Sequence, residues 1–87
     1  MQRIIVKIII YLDKVPNLQN LLPQEQAIGK LWKAQGILEH SFSIADKSGV
    51  ILIFKDIDEL KAKELIQTLP LLPYFESVEY IITEKHF

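Results

Sequence analysis

Apolar residues along this chain alternate or run together over four short stretches and recur at a spacing near 3.6 over two longer ones, which predicts four strands and two helices. Residues 3 to 11 (Arg-Ile-Ile-Val-Lys-Ile-Ile-Ile-Tyr) are dominated by β-branched side chains, which lose little rotamer freedom in a strand. One face of this strand carries Ile4, Val6, Ile8 and Ile10, while the other sets Ile5 and Ile9 among Arg3, Lys7 and Tyr11. Leu12 to Asn20, with Asp13, Pro16 and two asparagines, reads as a connection. Pro23 suits the first helical position, where a missing N–H costs nothing. From Gln24 to Gln35 the residues Ala27, Ile28, Leu31 and Trp32 fall on one side, and Gly36 is the expected helix stop.

Ile37 to Phe54 reads as a hairpin, two β-rich runs around Asp46-Lys47-Ser48-Gly49, with Gly49 free to take positive φ. In its first run Leu38, His40, Phe42 and Ile44 are expected on one face and Glu39, Ser41 and Ser43 on the other, the pattern of a strand near a sheet edge. Val50 to Phe54 is apolar at every position, so this strand should be central and covered on both faces. Asp56 and Asp58 are then candidate N-caps for a helix running to about Leu69, with Ala62, Leu65, Ile66 and Leu69 as its apolar stripe and Glu59 paired with Lys63. Pro70 ends that helix. Ser77 to Thr83 alternates Val78, Tyr80 and Ile82 against Glu79, as a last strand would.

The order β, α, β, β, α, β is the split βαβ, or ferredoxin-like, arrangement of an α+β fold. Right-handed crossovers put both helices on one face of one antiparallel sheet. Two helices hide one face only, yet the first and third strands are apolar on both, so the uncovered side is expected to meet a second copy of the chain in a homodimer or higher homo-oligomer.

At 87 residues the chain is one domain, residues 1-87, and with 49% of them hydrophobic it is not a disordered chain. Cysteine is absent, which removes disulfides and thiolate metal sites. A formal charge of -1 supplies no long-range attraction to a phosphate backbone, so no nucleic acid partner is expected. The longest apolar run, Ile8 to Leu12, is far short of the ~20 residues that a membrane span needs. Lys7 interrupts the apolar start and no small-residue cleavage site follows, which argues against a signal peptide. The resulting expectation is a soluble, cytoplasmic protein with no membrane partner.

The run Leu69-Pro70-Leu71-Leu72-Pro73-Tyr74, coming after a helix with Asp58-Glu59-Leu60 and Glu64-Leu65-Ile66, resembles the connection before the last strand in the muconolactone isomerase family. The resemblance extends back through Phe54, His40 and Gly36 to Glu25 and covers roughly the last two-thirds of the chain. It implies a dimeric α+β barrel that isomerises a small unsaturated lactone by moving a proton and a double bond, without metal or cofactor. Such a reaction needs a base to lift a C–H proton and donors to hold the enolate-like charge. Glu25 and His40 match family positions that carry a carboxylate and an imidazole, and are the candidate catalytic residues; Trp32, Phe42 and Tyr74 are the candidate substrate-binding residues. The sequence departs from the family where a polar run is replaced by Val50, Ile51 and Leu52, and where the basic tail is cut short to Glu84-Lys85-His86-Phe87. A pocket so changed takes a more apolar ligand or none.

Each of these residues also has an ordinary structural reading. Glu25 reads as a first-turn acid favoured by the helix dipole, Trp32 as core, and His40 as a packed or partner-facing histidine. Tyr11, Tyr74 and Tyr80 each suit an interface, and His86 has no second histidine at ligand spacing to make a metal site. Three functions follow in order: a muconolactone isomerase-like protein, a catalytically inactive oligomeric ligand-binding or interaction module, and a single-stranded nucleic-acid binder. The last ranks lowest because the third strand offers only Phe54 for base stacking.

Overall fold

The computed structural model covers residues 1–87. Its elements are β1 (Gln2–Ile9), α1 (Leu18–Ala34), β2 (Leu38–Ser43), β3 (Gly49–Phe54), α2 (Glu59–Ile66) and β4 (Ser77–Glu84), with 3-10 turns at Leu12–Lys14 and Leu72–Tyr74. The strands form one antiparallel sheet in the order β2-β3-β1-β4. This is the ferredoxin-like arrangement, with the two most aliphatic strands at its centre as their composition requires.

Register fixes the two faces of the sheet. Ile4, Val6 and Ile8 of β1 lie opposite Phe54, Leu52 and Val50 of β3 and opposite Ile82, Tyr80 and Val78 of β4. The side chains of Ile4, Val6, Ile8 and Phe54 are buried and join Trp32 of α1 and Ala62 and Ile66 of α2 in a single core. Trp32 meets the Phe54 ring edge-on at 5.5 Å, a geometry that adds to simple area burial. Both helices therefore cover the same face. The opposite face carries Ile5, Ile9, Ile51 and Ile53, all partly exposed, with Ile81 42% and Phe42 53% exposed.

Local sequence accounts for most boundaries. The α1 C-terminus closes on Gly36 at φ 78, where the Gly36 N–H donates to the Lys33 carbonyl at 3.0 Å and the Ile37 N–H to the Trp32 carbonyl at 3.2 Å, the paired bonds of a Schellman cap. Asp58 caps α2, its Oδ1 accepting from the Lys61 N–H at 2.8 Å. Glu59 and Lys63 pair at 2.9 Å one turn apart.

Four expectations need correction. The first helix starts at Leu18, not at Pro23, which lies inside it. Leu18, Leu21 and Leu22 continue the apolar stripe backwards onto the core, and that burial outweighs the one hydrogen bond that proline removes. The second helix stops at Ile66, not at Leu69; past it the Thr68 and Leu69 N–H groups bond three residues back, to the Leu65 and Ile66 carbonyls, and the Thr68 hydroxyl also donates to the Leu65 carbonyl at 2.7 Å. In the hairpin Lys47, not Gly49, takes the left-handed conformation, at φ 66. Gly49 serves close approach instead, since a Cβ there would collide with the Ile8 carbonyl of the neighbouring strand.

The fourth correction concerns β2. Leu38 lies opposite Phe54 and His40 opposite Ile53, with Glu39 as the extra residue of a β-bulge. Beyond the bulge alternation resumes one step out of phase. Ser41 and Ser43 then share the helix-covered face with Leu38, and His40 and Phe42 turn to the open face, their rings stacked at 5.9 Å. Glu39 is held there by Arg3, which reaches across the end of β3 with Nε to Oε1 at 2.8 Å and Nη2 to Oε2 at 3.1 Å. Such a two-pronged pair is geometrically specific.

Candidate functional site

Between α1 and the β2–β3 half of the sheet lies a cleft of about 1130 Å³. Its floor is aliphatic, built from Ile8, Ile10, Leu38, Val50 and Leu52. Leu69, Leu71 and Phe75 close one end. Glu25, Gly29, Trp32 and Lys33 of α1 form one wall, and Ser41 and Ser43 of β2 form the other. The lining fits a small-molecule site, and the volume lies just above the roughly 300–1,000 Å³ that is ordinary for one.

Glu25 is the acid set among these apolar groups. Its Oε1 accepts from the Leu71 N–H at 3.1 Å, and Oε2 makes no bond within the protein and is reachable from outside. Burial pushes the Glu25 carboxyl above its ordinary value, and the Leu71 N–H opposes that only in part. The first-turn reading of this residue does not survive, because α1 begins at Leu18 and Glu25 stands two turns inside it, beyond the reach of the helix terminus. A carboxylate with raised proton affinity on one wall and serine hydroxyls on the other are the kinds of group needed to lift a C–H proton and to receive the charge that develops on an oxygen of the ligand.

The proposed site residues separate into two groups. Glu25 and Trp32 line the cleft, Trp32 with one side in the core at 4% exposure. His40 and Phe42 do not, because the Glu39 bulge sends them to the other side of the sheet; a Glu25–His40 pair is not formed within one chain. Tyr74 sits outside as well, on the Leu72–Tyr74 turn, and Phe75 occupies the cleft end in its stead. Ser41 and Ser43 were hidden in the sequence by the assumption of unbroken alternation, and nothing in the polar run Glu39-His40-Ser41 says which residue is extra until its partner strand is known.

Gly29 is a further lining residue that the sequence did not flag. It lies in the middle of α1, where glycine costs ~0.5–1 kcal/mol relative to alanine. A Cβ at this position would meet nothing within 4 Å, so packing against the rest of the protein does not require glycine. A second hollow, of about 350 Å³, lies among Met1, Arg3, Lys85, His86 and Phe87; its guanidinium is already committed to Glu39. No group of three or more His, Asp or Glu side chains is arranged to hold a metal ion, and no helix is long and apolar enough to cross a membrane.

No family model matches the chain, and no curated protein matches it. Solved structures do resemble it. The 5-chloro-2-hydroxyhydroquinone dehydrochlorinase TftG from Burkholderia phenoliruptrix, in complex with 2,5-dihydroxybenzoquinone, superposes with a TM-score of 0.63 at 14% identity over 99% of this chain and 94% of that one. The protein TTHA0845 from Thermus thermophilus gives 0.57 at 14% identity over 100% and 98%. The hypothetical protein PHS023 from Pyrococcus horikoshii gives 0.54 at 8% identity over 99% and 93%. At such identities the kinship is one of architecture: over nearly its whole length the chain shares a ferredoxin-like α+β fold with these proteins, the first of which processes a small ring compound.

Proposed function

We propose that the chain is a muconolactone isomerase-like protein, which isomerises a small unsaturated lactone or organic acid in the cleft beneath α1 and works as a homodimer. The observation that carries this reading is Glu25, half-buried among aliphatic residues, one oxygen fixed by the Leu71 N–H and the other free for a ligand. In the proposed reaction the Glu25 carboxylate removes a proton from a carbon made acidic by the conjugated carbonyl. Electrons shift into the carbonyl oxygen as the double bond moves, the serine hydroxyls donate to that oxygen, and the proton returns at the far carbon. Reactant and product have the same composition. The ring chemistry of the dehydrochlorinase, in a protein of the same fold, supports a small conjugated substrate.

Two copies meeting through the open sheet face would cover Ile5, Ile9, Ile51, Ile53, Ile81 and Phe42. His40 then lies at the contact and not at the chemistry.

The test is turnover of an unsaturated five-membered lactone, followed by the shift in its ultraviolet absorption. Glu25→Gln is expected to lower kcat by at least ~100-fold, the usual contribution of a positioned base, while His40→Ala leaves kcat within about twofold. Wild-type activity should rise with pH through a limb above the ordinary carboxylate range, because the base must be unprotonated and burial raises its pKa. Turnover that survives Glu25→Gln ends this reading. A second reading, a ligand-binding module without catalysis, is favoured by the aliphatic Val50 and Leu52 of the floor; tight lactone binding with no conversion would select it.

A further inference from the structure

We infer that the cleft is a slot for a flat conjugated ring system, and that Gly29 determines this specificity. The inference rests on the cleft being the ligand site, as proposed above, and adds the shape of what it holds. One wall is the pleated floor of Ile8, Val50 and Leu52, and the facing wall is α1. At Gly29 that wall is bare backbone, with open space where a side chain would stand. Glycine's established uses include letting backbone come close to a ligand. Here no turn and no tight packing within the protein calls for it, so the space it preserves belongs to the cleft.

Position on the helix ties the bare patch to the acid. Glu25 and Gly29 are four residues apart on α1 and stand on one face, a turn from each other. A ring lying against the Gly29 backbone therefore presents its edge to Glu25 and its faces to the helix and the aliphatic floor. Flat faces gain dispersion contact on both sides at once, whereas a puckered saturated ring of the same carbon count touches each wall at fewer points. The cleft volume of about 1130 Å³ has room for a fused pair of rings as well as for a single lactone ring.

The test uses 2-naphthol as the flat probe and decahydro-2-naphthol as its puckered counterpart. Affinities and positions are read from amide chemical shifts of the full-length protein. Shifts are expected at Ser41, Ser43 and Leu71, with the flat probe binding at least ~10-fold tighter than the saturated one. Gly29→Leu should weaken 2-naphthol by ~10-fold or more. Gly29→Ala should weaken it less while raising the melting temperature by several degrees, since alanine is the better helix former and meets no obstacle.

Equal affinity for the two probes, unchanged binding in both Gly29 variants, shifts confined to open-face residues such as Phe42 and Ile51, or no binding by the wild type would each overturn the inference. The two proposals fail separately. Naphthol binding that Gly29→Leu abolishes, in a protein that converts no lactone, removes the isomerase and keeps the slot; lactone turnover with naphthol binding indifferent to position 29 does the reverse.

Discussion

Glu25, the proposed base, sits where its charge works against the fold. Its carboxyl is pushed up by burial, so the folded state holds the proton more tightly than the unfolded chain. The associated stability is present below the unfolded pKa and is lost as pH rises through the higher folded value. Glu25→Gln keeps an acceptor for the Leu71 N–H and carries no charge. It is expected to be more stable than the wild type near pH 7, with the gap closing on acidification, as urea titrations between pH 4 and pH 7.5 would show. Glu39 behaves oppositely. The Arg3 guanidinium holds its carboxyl below the ordinary value, so its contribution is present above the unfolded pKa and fades as pH falls through the folded one. Glu39→Gln should therefore lower stability near neutrality and cost little in strong acid. The candidate acid was visible in the sequence, but its surroundings were not. Which backbone N–H would meet its carboxylate depended on the Leu69–Phe75 connection folding back across α1, a contact 46 residues away in the chain.

Elements follow their local chemistry where that chemistry is strong. Asp56 and Asp58 were both legible as caps, and the structure uses Asp58; Asp58→Ala should cost ~1 kcal/mol, read as a drop in the urea midpoint without a change in slope. Gly36 likewise announced the end of α1. Local rules misled where tertiary structure overrode them. Pro23 looked like a helix start, yet three leucines before it had core to cover. Gly49 looked like the turn residue, yet the strand beside it needed the room and Lys47 took the left-handed position. Lys47→Gly is accordingly expected to gain ~1 kcal/mol, the relief of a side chain held at positive φ, measurable as a raised melting temperature. The bulge at Glu39 was the least legible element of all, since period-two patterning carries no mark of one residue too many until the partner strand is known.

At the scale of the whole molecule, the two-layer build left a surplus that was already evident from Val50 to Phe54 and from Ile4 to Ile10. The domain is only 21 Å through its shortest axis, and one side of its sheet has isoleucine where solvent would be. In the proposed dimer, Ile51→Lys places an unpaired ammonium at the contact. It should shift sedimentation at micromolar concentration from dimer to monomer, while a monomeric wild type would remove the dimer altogether. In the proposed dimer, assembly and chemistry would occupy opposite sides of one sheet, and the pairing of β2 beyond Glu39 divides its side chains between them. Excise that residue and the ladder closes with nothing displaced, imidazole and phenyl still outward and hydroxyls still beneath α1; slide the whole strand one step with Glu39 kept in the ladder, and the cavity is refurnished for another chemistry without a single substitution.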